Sequence, residues 1–244
     1  MLDKYIDKTI AEIVVSDYRT ADVFKKHGLN YCCGGKIPFR EACAIKNINA
    51  SALIFELEEA TRNIRLSNTI EFSSWSMEFL IDYIVNIHHS YLYTNLPLIE
   101  TGLLSFVNSH KKQHPELENI LAVFTEIASV LIQHNREEEE EIFPYIKQMA
   151  NTFRRRETYG SLFVKTLGKP LYTFEKQHAV IADLLQEMRR LTNNYEFPGN
   201  ACTNHQVMFR KLHELDNDLV QHKHLENNIL FPKAIAMEQN LLQV

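Results

Sequence analysis

One pattern occurs twice in this chain and restricts its fold more than any other feature. Both copies read H-x3-E-x4-F-P, the first from His134 to Pro144 and the second from His222 to Pro232. Residues i and i+4 lie on one face of an α-helix, about a turn apart. Each His and the Glu after it can therefore point toward one place, and two such helices side by side can hold transition-metal ions.

The repeat also includes two single histidines that precede the two copies of the pattern. His134 and His222 stand 88 residues apart, and His89 and His178 stand 89 apart. Each half of the repeat therefore has a helix with one His, followed by a helix with the His-x3-Glu pair. We expect two helix pairs related by a pseudo-twofold axis, each supplying one ion, with the two glutamates bridging the ions.

Four long amphipathic patterns predict an all-α fold with an antiparallel four-helix bundle, and the sequence has no alternating strand pattern. Glycine and proline are scarce, at 7 each among 244 residues, which favours long helices with few tight turns. The predicted helices are A, roughly 75–96; B, roughly 116–148; C, roughly 169–193; and D, roughly 204–238.

A smaller helical region precedes the bundle. Short apolar stripes, such as Ile10, Ile13 and Val14, predict several short helices near the N-terminus. The polar residues 61–74 have no clear periodicity and are typical of a linker. We therefore expect a small N-terminal helical domain over residues 1–62 and the four-helix bundle over residues 75–244.

Composition argues against several classes of function. The net charge is −5 and no long block of Lys and Arg occurs, so the chain has no electrostatic footprint for nucleic acid. No apolar run approaches the roughly 18 residues that a membrane span needs. The first residues carry charges where an export signal needs an apolar core. We expect a cytoplasmic protein that binds neither nucleic acid nor membranes.

The simplest alternative for the repeated pattern is an exposed helix face with ordinary polar pairs. The acidic run 137–141 is typical of such a solvated face. However, the His134–Glu138 pair shares a helical stripe with Leu131, and the second pair shares one with Leu219. Polar groups on a core-facing stripe destabilise the fold unless they have partners. The stripes therefore favour metal ligands.

The remaining histidines are less clearly placed by the sequence. His88 and His89 both touch the apolar face of helix A, and only the repeat spacing favours His89. His178 lies on a core stripe of helix C, where the alternative is a buried His hydrogen-bonded to a carbonyl. We expect His224 at the surface, and we expect Glu141 to be solvated rather than to support a ligand.

The chemistry of these residues indicates the metal. Imidazole and carboxylate without thiolate suit iron or manganese, with zinc as a further option. Carboxylates shared between two ions favour a pair of iron ions. Six side chains cannot saturate two octahedral ions, so open positions are expected for an oxo bridge, water or a diatomic gas.

Two adjacent cysteines, Cys32 and Cys33, stand directly before two glycines. Because adjacency strains any disulfide between them, we expect exposed thiols that bind or transfer a metal ion, or that react with an oxidant. The alternative is that both thiols pack inside the small helical core. Cys43 and Cys202 are expected to be structural, and the lack of an export signal favours free thiols throughout.

These motifs together resemble the iron-sulfur cluster repair di-iron (RIC) proteins over essentially the whole chain. The resemblance rests on the YCCGG block that begins at Tyr31, on H-x3-E ahead of Phe-Pro in helix B, and on HKHLENNILFP in helix D. It implies a hemerythrin-like bundle after the small N-terminal domain. It also implies a non-haem di-iron site with these ligands: His89, His134, Glu138, His178, His222 and Glu226.

The function that the resemblance implies is repair of iron-sulfur clusters damaged by nitric oxide or peroxide, with this protein supplying iron. Damaged or apo iron-sulfur proteins are then the expected partners, and Cys32 and Cys33 are implicated in the work. Two other functions stay open. One is a hemerythrin-like module that binds or senses O2 or NO, and the other is an enzyme that reduces NO or peroxide at the di-iron centre. A homodimer also stays open.

The chain departs from the family's pattern at three positions. Some relatives carry further carboxylates where this chain has Val130 and Gln177. A role of those carboxylates in moving iron or protons is either absent here or taken by Glu137 or Glu141. Relatives carry a Tyr before the helix A ligand, where this chain has His88, so His88 is an alternative ligand.

Overall fold

The computed structural model describes residues 3–31, 35–61, 70–168 and 171–243. These residues are helical apart from turns and loops, and they contain no strand. One isolated bridge joins Thr9 and Pro38. The predicted all-α class is confirmed.

The chain divides into two compact units. One comprises residues 1–68 and 195–213, and the other comprises residues 69–194 and 214–244. The predicted domain boundaries, at 62 and 75, stay a prediction.

The first unit is built from short helices around one hydrophobic core. Thr9 caps the second helix, Ile10–Ser16, because its side chain accepts the Glu12 N–H while the Glu12 carboxylate accepts the Thr9 N–H. Phe24 and Phe39 are fully buried, and Val207 packs in the same core. The helices are Asp3–Ile6, Ile10–Ser16, Thr20–Lys26, Phe39–Ile45 and Ala50–Ala60.

Gly35, the last glycine of the YCCGG block, occupies a position that admits no side chain. A Cβ atom there would overlap the carbonyl oxygen of Tyr31 and crowd the side chain of Ala11. The Ala11 N–H donates to the Gly35 carbonyl at 2.9 Å, which holds this loop against the second helix. Glycine is therefore required for the close approach of two backbone segments.

The second unit contains the predicted long helices. Helices A, B and D each include one π-helical segment, in which the backbone hydrogen bonds span five residues instead of four. Helix A comprises Met77–Tyr83, Ile84–His89 (π) and Ser90–His110; B comprises Leu117–Glu137, Glu138–Ile142 (π) and Phe143–Arg154; C is Tyr172–Leu191; D comprises Thr203–Leu225, Glu226–Leu230 (π) and Phe231–Gln243. Residues of helix D up to 213 belong to the first unit.

Helix A extends beyond its predicted end because Pro97 does not terminate it. The helix continues to His110 and buries Leu103 and Phe106. Pro97 removes one backbone donor, and the Thr101 hydroxyl donates to the Pro97 carbonyl at 2.8 Å. Another helix, Gly160–Leu167, lies where the sequence indicated a loop.

The π-helical segment of helix A changes which face of the helix is buried. A regular helical period places Ile87 on the apolar face, but its side chain is 49% exposed. Phe79, which lies before this segment, is 54% exposed and packs against Trp75. His88 and His89 are both buried, although they are neighbours in sequence. A regular period of 3.6 residues does not anticipate the wider turn at Ile84–His89. No helix among the described residues is long and apolar enough to cross a membrane.

Candidate metal centre

The Phe-Pro of each repeated pattern shapes the helix at the preceding glutamate. The π-helical segments Glu138–Ile142 and Glu226–Leu230 begin at the Glu of the pattern and end directly before its Phe. A proline has no N–H for the usual bond, and its ring crowds the carbonyl four residues back, so a wider turn accommodates it. In both copies the Phe N–H donates to the carbonyl of that Glu. Phe-Pro therefore helps to set the position of the carboxylate.

Six polar side chains from the four helices meet in the buried centre of the second unit. The Nε2 atoms of His89, on helix A, and His222, on helix D, lie 3.1 Å apart. Those of His134, on helix B, and His178, on helix C, lie 2.9 Å apart. The two glutamates lie close to both pairs. We call these six residues the His/Glu cluster: His89, His134, Glu138, His178, His222 and Glu226.

Each carboxylate of the cluster faces both histidine pairs. Glu138 Oε2 lies 3.5 Å from His89 Nε2, and its Oε1 lies 3.4 Å from His134 Nε2. Glu226 Oε1 lies 2.8 Å from Nε2 of the helix D histidine, and its Oε2 lies 3.3 Å from Nε2 of the helix C histidine. The cluster thus offers two groups of four donor atoms, and both groups use both glutamates. Within each group the atoms lie within 4.8 Å of one another.

The histidine pairs do not coincide with the halves of the repeat. The sequence predicted that helices A and B supply one ion and that helices C and D supply the other. Instead, His89 and His222 form one end of the cluster, the A/D end, and His134 and His178 form the other, the B/C end. Spacing of i,i+4 determines which residues share a helix face, whereas the packing of the bundle determines which helices face each other.

The glutamates of the cluster are buried in a way that fits bound cations. Glu138 is 0% exposed and Glu226 is 1% exposed. None of their four carboxylate oxygens accepts a hydrogen bond of good geometry from the described residues, although His222 Nε2 lies 2.8 Å from one of them. Buried carboxylates need a hydrogen-bonded partner or a metal ion. A cation at each end of the cluster would meet that need.

Two histidines of the cluster, His89 and His134, are held in the neutral form. Burial, together with the positive charge of His222, lowers the pKa of His89 to about 4. Burial is also the main cause that lowers the pKa of His134 to about 4, where the positive charge of His178 adds to it. A neutral imidazole binds a metal ion without first losing a proton. Near neutral pH these two rings are therefore in the form that coordinates.

The two glutamates differ in pKa when no cation lies between them. Burial, and then the negative charge of Glu226, raises the pKa of Glu138 well above its usual value. Burial opposes ionisation of Glu226 too, but the positive charge of His222 and contacts with His178 outweigh it and hold its pKa well below the usual value. The metal-free cluster therefore favours one protonated and one ionised carboxyl, as expected for two close acids.

Residues that the sequence did not single out contact the outer nitrogens of the histidines. Nδ1 of His89 lies 2.7 Å from Glu139 Oε1, and Nδ1 of His178 lies 2.6 Å from Asn227 Oδ1. Both acceptors directly follow a glutamate of the cluster, so the repeat itself carried this signal. These contacts leave Nε2 of each ring directed into the cluster.

The Phe of each pattern also covers a histidine ring. Phe143 stacks on His89, with ring centroids 5.7 Å apart and planes at 22°. Phe231 stacks on His178 in the same way, at 6.0 Å and 19°. Each Phe thus shields from water the single histidine of the neighbouring helix in its own half of the repeat.

Comparison with known proteins matches both parts of the chain. Residues 80–234 match the hemerythrin HHE cation binding domain, and residues 6–61 match a domain of unknown function, DUF542. The iron-sulfur cluster repair protein YtfE of Escherichia coli O81 (strain ED1a) is 30% identical over 237 residues, which cover 96% of this chain and 99% of that protein. This chain belongs to the iron-sulfur cluster repair family.

A second relative in the iron-sulfur cluster repair family extends the match. The iron-sulfur cluster repair protein ScdA of Staphylococcus haemolyticus (strain JCSC1435) is 26% identical over 227 residues, which cover 93% of this chain and 97% of that protein. The resemblance predicted from the motifs is confirmed. A hemerythrin-like bundle after a small N-terminal helical domain is confirmed as well.

Gln177 is one position where this member of the iron-sulfur cluster repair family departs from the expected pattern. Its Oε1 lies 2.8 Å from Nδ1 of His134, and its Nε2 donates to Glu137 at 2.8 Å. Glu137 also accepts a hydrogen bond from Gln133 at 2.9 Å. Glu137 therefore reaches the cluster indirectly, through the amide of Gln177.

His88 lies beside the cluster of this family member but is not grouped with its donor atoms. Its Nδ1 lies 2.9 Å from Asp218 Oδ1. Its ring stacks on His222, with centroids 5.4 Å apart and planes at 2°. His88 is thus placed to support a histidine of the cluster.

The other residues that the sequence singled out lie apart from the cluster or outside the described residues. Glu141 and His224 are exposed. Cys43 is a free thiol in the core of the first unit, and burial raises its pKa, which makes it unreactive. The Sγ atom of Cys202 accepts a hydrogen bond from the His205 N–H at 3.5 Å. Cys32 and Cys33 lie outside the described residues.

Proposed function

We propose that this chain is a di-iron protein that repairs iron-sulfur clusters damaged by nitrosative or oxidative stress, and that it does so by supplying iron. The histidines of the His/Glu cluster would hold two ferrous or ferric ions, and Glu138 and Glu226 would supply carboxylate oxygens to both. The proposal extends to this chain the role that the names of its relatives give to those proteins.

One observation carries the proposal. The His/Glu cluster offers two groups of four donor atoms that share two buried carboxylates, and the oxygens of those carboxylates have no hydrogen bonds of good geometry from the described residues. Imidazole and carboxylate without thiolate form a donor set that suits iron. Zinc and manganese use similar donors, so metal analysis is part of the test.

The residues of the chain have distinct roles in this proposal. Bound iron supplies an exchangeable cation for damaged clusters. The neutral imidazoles of His89 and His134 bind it without first releasing a proton. Phe143 and Phe231 keep water from the histidine rings on which they stack.

We further propose that Cys32 and Cys33 take part in delivery to the client protein. Vicinal thiols bind soft and borderline metal ions well once they are deprotonated. They stand in the segment that matches the DUF542 domain. Clients are damaged or apo iron-sulfur proteins in the cytoplasm, and a homodimer would bring two such segments together.

Metal analysis followed by a transfer assay tests the proposal. Protein purified without oxygen should contain two irons per chain and should pass one of them to an apo-ferredoxin. The Cys32→Ser/Cys33→Ser variant should keep both irons but transfer more slowly. If the protein binds no iron, the proposal fails.

The match to a hemerythrin HHE domain favours a second candidate function, the binding or sensing of O2 or NO. Two irons that stay in place while the protein binds a gas reversibly would establish that function instead. Repeated reduction of NO or peroxide with an added reductant would indicate an enzyme.

A further inference from the structure

The two ends of the His/Glu cluster have different surroundings, although the repeat makes their geometry alike. At the A/D end, Nδ1 of His89 lies 2.7 Å from a carboxylate oxygen, Oε1 of Glu139. At the B/C end, both outer nitrogens face amide oxygens. Nδ1 of His134 lies 2.8 Å from Gln177 Oε1, and Nδ1 of His178 lies 2.6 Å from Asn227 Oδ1.

The orientation of the Gln177 amide at the B/C end follows from its second hydrogen bond. Gln177 Nε2 donates to Glu137 Oε2 at 2.8 Å. Because the nitrogen is held by a carboxylate, the neutral oxygen is the atom that faces His134. The contact therefore does not place a negative charge directly on the imidazole.

A second carboxylate lies close to the A/D end. Asp218 Oδ1 lies 2.9 Å from Nδ1 of His88, and the His88 ring stacks in parallel on His222. Val130 is the residue of helix B that corresponds to Asp218 in the repeat, so the B/C end has no carboxylate at that position.

Charge on the outer acceptor changes how strongly an imidazole binds a metal ion. A carboxylate attracts the Nδ1 proton more strongly than an amide oxygen does, which makes Nε2 a better electron donor. It also adds negative charge near the dication. Such outer contacts change metal affinity by roughly tenfold to a hundredfold.

We propose that the A/D end binds its ion more tightly, and that the ion at the B/C end is the one that the protein gives up. This inference rests on the proposed function. The step moves a ferrous ion. Its bonds to His134, His178 and the two carboxylates break, and bonds to the ligands of the acceptor form, with no change in electron count. The remaining ion keeps its two histidines and both carboxylates.

The test measures how fast iron leaves for a ferrous chelator, with protein that holds two ferrous ions per chain. We expect two kinetic phases, each releasing one iron. Glu139→Gln should speed the slow phase roughly tenfold and leave the fast phase unchanged. Asn227→Asp should slow the fast phase by a similar factor, and so should Gln177→Glu.

Matched controls separate these contacts from a general change of charge. Glu140→Gln changes the residue directly after Glu139. Glu140 is exposed, and it pairs with Arg136 and not with a histidine. Gln133→Glu adds a charge beside Glu137, as Gln177→Glu does, but without contact to a ring. Both controls should release iron as the unchanged protein does. If Gln177→Glu fails to fold because of repulsion from Glu137, Asn227→Asp still tests the same end.

A variant without the two histidines of the B/C end shows which end of the cluster releases its iron in which kinetic phase. His134→Ala/His178→Ala should retain one iron and release it in the slow phase. If that iron leaves fast, or if Glu139→Gln changes only the fast phase, the proposal is overturned. Two irons released at one rate would overturn the inference and leave the proposed function intact, whereas a protein without iron would remove both.

Discussion

Helices A and B form one half of the repeat, and helices C and D form the other. In each half, the residue after the glutamate of the cluster contacts the outer nitrogen of the neighbouring single histidine, at 2.7 Å for Glu139 and 2.6 Å for Asn227. In each half, a π-helical segment begins at the glutamate and leads into Phe-Pro. The halves share their geometry but differ in charge. The repeat therefore builds a site with two similar ends, and single residues around it give the two ends different charges.

The largest expected effect is a loss of bound iron when one of the two shared carboxylates is replaced. This experiment tests whether both halves of the repeat are needed equally. Glu138→Gln and Glu226→Gln should each lower the iron content from two per chain to less than one, because each glutamate serves both ends of the cluster. Metal analysis after desalting measures this. Glu141→Gln changes an exposed carboxylate on helix B and should keep both irons. A variant at either bridging position that retained two irons would contradict the shared-carboxylate geometry.

The next effect concerns the prolines that follow the π-helical segments. Pro144→Ala and Pro232→Ala restore a backbone N–H, which allows the wide turn to relax to a regular helix and moves the glutamate. We expect iron affinity to fall roughly tenfold in each variant, as for other groups that orient a ligand. Competition with a chelator of known affinity measures the change. Pro97→Ala, in the last segment of helix A, is the control and should leave affinity unchanged.

The histidines with lowered pKa predict how the metal-free protein responds to pH. His89 and His134 have pKa values of about 4 when folded, against roughly 6.5 for an unperturbed histidine, so between these values the unfolded chain binds one more proton at each. Glu138, whose pKa is raised, offsets one of these two protons. His222, whose pKa is also raised, is protonated in both states within this window. Stability should therefore fall as the pH falls from 6.5 to 5, by about 1 kcal/mol per pH unit.

Urea unfolding of the metal-free protein at several pH values measures this slope. His134→Gln should remove most of this dependence of stability on pH. Only His89 then gains a proton on unfolding, and the proton that Glu138 loses on unfolding cancels that gain. His224→Gln makes the same change at an exposed histidine and should keep the slope. A stability that rose toward pH 5 would contradict the lowered pKa values.

A comparison of leucine variants distinguishes the two glutamates in the metal-free protein. Glu138→Leu removes a buried carboxyl that has a raised pKa, and we expect it to stabilise the fold by about 1 kcal/mol. Glu226→Leu removes the ionised partner of His222, and we expect it to destabilise the fold by about 1–3 kcal/mol. Urea unfolding at pH 7 compares them. Equal effects of the same sign would show that the two carboxyls are equivalent without metal.

The sequence predicted the parts of the site that depend on local geometry. His134 and Glu138 share a helix face by spacing alone, and the repeat carried the same relation to the second copy. The sequence did not predict that His89 faces His222 across the bundle. Packing between distant segments determines which helices face each other.

The sequence was also misleading where one helix turn departs from the regular period. The π-helical segment of helix A buries His88 beside His89 and leaves Ile87 half exposed, which a period of 3.6 residues does not anticipate. The helix Gly160–Leu167 was missed because it is short and begins at a glycine, which is typical of a loop. The predicted ligand roles of the cluster residues, and those of Cys32 and Cys33, stay predictions.

The buried carboxylates of the His/Glu cluster have a consequence for the lifetime of the protein. A core that holds two buried acidic groups side by side is most stable when cations occupy it, since a ligand that binds only the folded state stabilises that state. A chain that has given up its iron should open more often, and proteases cleave the opened form. The abundance of this protein would then follow the supply of iron, so that exhausted copies are degraded and loaded copies persist.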